Sequence, residues 1–370
     1  MIPDRDNLKY LNAINIVVDG NVLALERINS AFDGDWEGAW SADLSSFIRD
    51  AVGREGSFTS CDRERRRNRQ RRLNIESEWQ YLERDGIDMI TILDKDYPTS
   101  LRSIHNPPFL LYVRGSRKAL QSESFAVVGT RLVSDYGKQA TEHIVGPVSR
   151  AGLTIVSGLA YGIDAIAHKT ALDEGGLTVA VLATYIADRS ICPRVNFALA
   201  QRIIKQGGAL ISEFPRGYQT QRFSFPQRNR IVSGLSRGVL VVEGSFKSGT
   251  MLTAKHAIDQ NRDVFAVPGS IFKKNSQGTN WLINRGAKLV TSSEDILEDY
   301  GLIQEQKQLE VEPEDENEKK ILAVIKQNSL TADEIVRETG LSTSIVSATL
   351  MIMEMDKKVR NTNDGKYEMF

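Results

Sequence analysis

Arg228 and Arg230 flank Asn229 in the stretch FSFPQRNRIVSG (residues 223–234), with Phe223, Phe225 and Pro226 just ahead of them. A guanidinium carries a fixed charge and a planar fork of donors suited to phosphate or carboxylate. No carboxylate stands within four residues of either arginine, so the local sequence offers them no partner. On one helix, residues two apart point to nearly opposite sides. Pro226 favours an extended approach to Arg228, which would free the pair from helix spacing.

Other small and basic residues recur where apolar runs end: Thr130 and Arg131 after FAVVG, Ser157 and Gly158 in TIVSG, Ser245 and Lys247 after GVLVVEG, then Ser248, Gly249 and Thr250. Small residues let backbone N–H groups approach a phosphate, and the basic side chains add charge. The pattern reads as an anion cradle built from several loops; Ser134, Asp135 and Thr250 also suit helix caps. No GxGxxG follows the first run and no GxxxxGK[ST] occurs, which excludes dinucleotide and P-loop nucleotide readings. His105, His143, His168 and His256 have no metal spacing, and Cys61 and Cys192 stand alone, so no metal and no cofactor are expected. Asp164 and His168, four apart, are either acid–base machinery or a structural bond, and the structural reading is the commoner one. SGTMLTA compares with the GGxGT loop of nucleotide phosphoribohydrolases, but Met251, Leu252, Thr253 and Ala254 supply no carboxylate to activate a leaving sugar.

The elements that would position these groups are regular from residue 124 to about 300. Strand-length apolar runs at 125–129, 154–158, 178–183, 209–212, 238–243, 263–269 and 287–290 are mostly continuous, as in strands buried on both faces. Helical segments lie between most of them: Gly137–Arg150, Ile163–Glu174, Phe197–Gln206, Met251–Gln260 and Asn280–Arg285. Such alternation predicts an α/β fold with a doubly wound, mainly parallel sheet, whose ligands bind at the carboxyl ends of the strands. DMITILDKDYPTSL and PPFLLYVRG add two β-rich segments upstream.

Residues 1–75 read as a divergent helical domain with short helices around Val22–Phe32 and Asp43–Val52, and Trp36 and Trp40 are expected to pack together. The arginine-dense stretch from Arg63 to Arg84 is either a nucleic-acid arm or a solvated helix with acid–arginine pairs; Trp79 and Leu82 favour a packed face. Residues 76–115 lead into a sheet domain at 116–300, 301–318 form an acidic linker, and 319–370 form a winged helix. In that last domain Lys319–Asn328 is the first helix, Thr331 and Glu334 make a capping box, Gly340 stops the second helix, Ser342–Met355 is the third, and Asn363-Asp364-Gly365 is a hairpin tip. A net charge of −1 gives no argument for nucleic acid from the total, so any anion site must be local. Without a long apolar segment or signal-peptide layout, membrane insertion is not expected and the cytoplasm is the default.

AVVGTRLVSDYG, SGLAYGIDAIAH, LISEFP, FPQRNRIVSGLSRGVLVVE, KSGTMLTA, VFAVPGS, GTNWLINRGAKLV and EDIL follow one another in this order. Together they resemble the DNA-processing protein A (DprA/Smf) family. The resemblance implies an extended Rossmann-like sheet and a non-catalytic homodimer that binds and protects single-stranded DNA. It further implies help in loading a RecA-type recombinase during natural transformation. Carried over, a GxR motif falls on Gly129-Thr130-Arg131, an RNR motif on Arg228-Asn229-Arg230, a KSG motif on Lys247-Ser248-Gly249, and a base-stacking ring on Phe223 or Phe225. Two departures stand out: ATYIADRSICP (183–193) replaces a G-x-G-[IL]-D turn, with Tyr185 where a glycine is usual, and the N-terminal segment lacks helix-hairpin-helix glycines. The alternative from the enzyme class is a nucleotide-binding or nucleotide-cleaving protein on a related sheet. The C-terminal third helix has no basic residue before Lys357, so a protein contact stands open beside DNA for the winged helix.

Overall fold

The structure is a computed structural model that describes residues 5–47, 60–302, 315–325, 329–356, 358–362 and 365–369. It divides into two units, Met1–Ile303 and Gln304–Phe370.

Among the described residues the first unit opens with the α-helices α1 (Arg5–Val17), α2 (Val22–Phe32), α3 (Trp36–Trp40), α4 (Ser60–Arg72) and α5 (Ile75–Arg84). Asn21 and Asn74 cap α2 and α5 by accepting from Ala24 N and Ser77 N. Leu11, Ile14 and Val17 of α1 recur on one face and are fully buried. The Trp36 ring packs edge-on against Phe109 at 5.5 Å, a neighbour remote in sequence, and Trp40 packs against the same core. Of the expected helix Asp43–Val52, Leu44–Phe47 form a single 3-10 turn just after Asp43, and residues 48–52 lie outside the described residues. Acid–arginine pairs do anchor α4, but to other elements: Arg66 and Arg69 both meet Asp19, at 3.2 and 2.5 Å, and Arg67 meets Asp43.

The sheet follows as β1 (Ile87–Thr91), β2 (Leu110–Gly115), β3 (Ser124–Val128), β4 (Thr154–Ser157), β5 (Thr178–Val181), β6 (Ala209–Ser212), β7 (Gly238–Val241), β8 (Asp263–Ala266) and β9 (Lys288–Leu289). Its order is β1-β2-β6-β5-β4-β3-β7-β8-β9, parallel throughout except at β2, which runs antiparallel to both neighbours. The interleaved helices are α6 (Thr99–Arg102), α7 (Asp135–Arg150), α8 (Ile163–Asp173), α9 (Phe197–Lys205), α10 (Ser224–Leu235), α11 (Gly249–Asp259), α12 (Gln277–Asn284) and α13 (Glu294–Leu297). Along β3 the apolar run splits by parity: Phe125 and Val127 pack with α7 and α8, while Ala126 and Val128 pack with α10 and α11. Each strand therefore needs apolar residues at every position, which is why the runs are unbroken. The expected doubly wound, mainly parallel sheet is present. The chain leaves β3 toward β4 on one side and returns through α10 to β7 on the other, so the order reverses beside β3.

The N-terminal helices close over the β1, β2, β6 and β5 end of this sheet in one shared core. Tyr112 of β2 fixes the contact: Asn15 Nδ2 donates to its hydroxyl at 3.0 Å, and the hydroxyl donates to Asn12 at 2.8 Å.

The second unit contains α14 (Glu316–Ile325), β10 (Leu330–Thr331), α15 (Ala332–Thr339), α16 (Thr343–Met355), β11 (Val359–Asn361) and β12 (Lys366–Met369), with sheet order β10-β12-β11. Asp315 starts α14 ahead of the expected Lys319 by accepting from Asn317 N and Glu318 N. The Thr331–Glu334 capping box and a left-handed Gly340 at φ 69° bound α15 as expected. Ile321, Ile325, Ile335, Val346, Leu350, Met353 and Val359 form its own core. Residues 326–328 and the Asn363–Asp364 part of the hairpin tip lie outside the described residues.

Candidate functional site

The strand order reverses beside β3, and there the carboxyl ends of β3, β4 and β7 open a cleft of about 600 Å³. Gly129, Thr130 and Arg131 leave β3 along one wall, and Gly158, Ala160 and Asp164 leave β4 along another. Ser248, Gly249 and Thr250 at the start of α11 close a third side, and Arg222, Phe225, Pro226, Arg228 and Asn229 the fourth.

That fourth wall corrects the expected backbone: residues 224–235 form helix α10, not an extended approach. Pro226 falls in the first turn, where its missing N–H leaves no helical bond unmade and its fixed φ suits the helix. At 3.6 residues per turn, Arg228 and Arg230 point about 200° apart. They serve different places.

Arg228 turns toward the sheet. It is only 5% exposed, and its Nη1 donates to the Val181 carbonyl at the end of β5 while its Nε donates to Asn229 Oδ1 at 3.2 Å. Burial lowers its pKa to about 10, with Asp164 opposing that shift and Arg131 adding to it. A cation that donates two hydrogen bonds and keeps further donors at a cleft wall is poised for an anion. Gly158 exists for this side chain, since a Cβ there would stand 2.2 Å from Arg228 Nη1.

Arg230 turns away from the cleft. Its Nη2 donates to Glu213 at 2.5 Å, and the two side chains are 6% and 2% exposed. The carboxylate absent from the local sequence therefore comes from the end of β6, seventeen residues upstream. Arg230 does not line the cleft; it is half of a buried ion pair.

The β4 exit is held tightly. Asp164 Oδ2 accepts from Gly158 N at 3.1 Å and Ala160 N at 3.4 Å, and Asn196 Nδ2 donates to the carbonyls of Leu159 and Ala160. These bonds fix Leu159 at φ 55°, a left-handed conformation unusual for leucine. Asp164 is raised in pKa by burial. His168 bonds not to Asp164 but to Thr178 Oγ1 at 2.6 Å, and that hydroxyl donates to Ile155 O, so His168 Nδ1 carries the proton. Asp164 and His168 therefore form no pair: each holds a different part of the scaffold.

Around the rim, Arg131 is exposed and its guanidinium sits 5.4 Å from the Phe225 ring centroid. Ser248 stands at the N-cap of α11, yet its buried hydroxyl makes no hydrogen bond among the described residues. Met251 N closes back on Ser248 O at 3.1 Å, and the Gly249 and Thr250 amides ahead of it lie at the helix start, where no intrahelical acceptor exists, so donors face the cleft from this side. Asn229 Nδ2 reaches Gly249 O at 3.3 Å and ties α10 to α11. Ser157 lies beneath the floor, donating to Val127 O, and Lys247 is exposed on the loop ahead of α11, outside the cleft wall. Phe223 is 56% exposed and faces a different cleft. Arg222 was not singled out in the sequence; its only signal there is its position beside the aromatic pair.

Residues 88–301 match the family model described as DNA recombination-mediator protein A, and residues 305–365 match the DprA winged helix domain. The chain belongs to the DNA recombination-mediator protein A family. It is 44% identical over 233 residues to the Escherichia coli protein Smf, a match covering 62% of each chain. It is 44% identical over 215 residues to the Bacillus subtilis DNA processing protein DprA, covering 58% of this chain and 71% of that one. The structure of DNA processing protein A from Streptococcus pneumoniae superposes with a TM-score of 0.63 at 33% identity, covering 79% of this chain and 96% of that one. That of the Helicobacter pylori DNA processing protein A, which addresses its single-stranded DNA binding mode, gives 0.52 at 29% identity over 58% of this chain and 95% of that one.

Within the family frame, the departure at 183–193 has a structural account. Tyr185 is buried and packs edge-on against Tyr112 at 5.8 Å, and Asp188 pairs with Arg114. The loop thus joins the core shared with the N-terminal helices, which lie outside the matched region.

Proposed function

We propose that this chain is a single-stranded DNA-binding recombination mediator and that the cleft beside β3 holds the strand. The observation that carries the reading is the convergence of Arg131, Arg222 and Arg228, the open amides and free hydroxyl of α11, and the Phe225 ring in one cleft at the sheet's reversal point. A single strand is held by cationic groups on its phosphates and aromatic faces on its bases, and one stacked base is worth roughly 1–3 kcal/mol. The family membership and the likeness to a protein studied for single-stranded DNA binding support the same assignment. In this reading Arg131 and Arg228 contact phosphate with Gly129, Thr130 and Gly158 allowing close approach, Phe225 stacks, and Lys247 adds charge from its exposed loop.

The site performs no bond chemistry in this proposal. The carboxylate that lines it, Asp164, is engaged by two backbone amides. We extend the reading to a homodimer that helps load a RecA-type recombinase, supported by the family's description as a recombination mediator. For the winged helix a protein contact is favoured, because α16 exposes Met351, Ile352 and Met355 and carries no basic residue.

An oligo-dT titration across salt concentrations tests the proposal. Tight binding that weakens linearly in log K against log salt is expected. Absence of binding, with release of base from a nucleoside monophosphate, would replace it with the enzyme reading.

A further inference from the structure

The larger cleft of the first unit, about 930 Å³, lies on the other side of the same α10 ridge and is lined by the arginine-rich helix α4. Arg65, Arg66, Arg69 and Arg72 face it, against the carboxylates of Asp19 and Glu64, so two positive charges are in excess. Arg66 and Arg69 hold Asp19 and anchor the helix. Arg65 and Arg72 are exposed and have no carboxylate partner among the described residues. Positions 65, 69 and 72 recur at helical spacing, giving one basic stripe about 10 Å long. Like charges gathered in a concavity repel one another unless a polyanion enters. Gly217, at φ 78°, leaves room opposite Arg69 Nη2, and the Tyr218 and Phe223 side chains complete the wall.

The wall between the two clefts is a single segment used from both sides. Gln221, Phe223 and Gln227 line the α4 cleft, whereas Arg222, Phe225 and Arg228 line the cleft beside β3. We infer that the two clefts form one continuous path, in which a single strand leaving the β3 site crosses the Phe223 ridge and lays its next phosphates on the α4 arginines. This rests on the β3 cleft being the primary single-strand site. It gives the N-terminal helices, which lie outside the matched family region, a nucleic-acid role.

The test is fluorescence anisotropy of an oligo-dT length series on the full chain, with Arg65→Ala/Arg72→Ala, Phe223→Ala and Arg131→Ala. The double variant should bind the shortest retained oligonucleotides like the unaltered protein and long ones about tenfold more weakly, with its salt slope lowered by about 1.4 on long oligonucleotides. Phe223→Ala should show the same length dependence. An Arg65→Lys/Arg72→Lys variant should recover most of the loss, since lysine still contacts phosphate as a point charge. Unchanged affinity and salt slope at every length, or an equal loss at every length, would overturn the continuous path. Arg131→Ala separates the two readings: it should weaken binding at all lengths, and its failure to do so would remove the primary site itself.

Discussion

Arg228 and Arg230 share a motif and divide its work. Removing Arg230 leaves Glu213 charged in a buried site, so Arg230→Ala should lower stability by about 3–5 kcal/mol in urea unfolding. Arg131 is exposed, and Arg131→Ala should leave the melting temperature unchanged. Arg228→Ala combines the two effects: its guanidinium holds the Val181 carbonyl as well as lining the cleft, so melting should fall along with binding. The sequence showed two arginines without nearby carboxylates but could not show Glu213, because their partnership depends on which strand ends beside α10. His168 allows a pH test at the same scale. Burial holds its pKa at about 3 against an ordinary 6.5, so between these values the unfolded chain binds a proton that the folded chain does not. Stability present above pH about 6.5 should therefore fall as pH drops toward 3, by up to about 1.4 kcal/mol per pH unit for this proton. Asp164, with its raised pKa, acts in the opposite sense, so the measure is the difference in thermal melting between the protein and His168→Gln. A flatter acid limb in the variant is the expected outcome.

At the scale of elements, the site depends on tight turns at the strand ends. A Cβ at Gly158 would meet the Arg228 guanidinium, and Gly162 combines φ 76° with the Thr130 carbonyl at 2.3 Å from a Cβ position. Gly158→Ala should displace Arg228, lower stability by about 1–3 kcal/mol and weaken oligonucleotide binding, read by chemical unfolding and anisotropy together. The strands were readable because burial on both faces forces unbroken apolar runs, and β3 to β9 fall where those runs lie. Helix α10 was not, since Pro226 argues for extension unless its place in the first turn is known. The loop at 183–193 looked anomalous in sequence because its partner, Tyr112, belongs to β2, and only the sheet order brings the two together.

For the whole molecule, the winged helix has a core of its own, and the cleft beside β3 draws every lining residue from the first unit. A chain ended after residue 303 should therefore melt as the first unit does and keep most of its affinity for oligo-dT, measured by differential scanning calorimetry and anisotropy. The α4 cleft arises only where distant segments meet: an arginine helix from residues 60–72 and an aromatic ridge from 221–227. The most direct test of the central claim is the affinity of oligo-dT for Arg131→Ala against the unaltered protein across salt. The proposal requires affinity about tenfold lower, a salt slope reduced by about 0.7, and unchanged melting. Equal affinity and equal slope would contradict it.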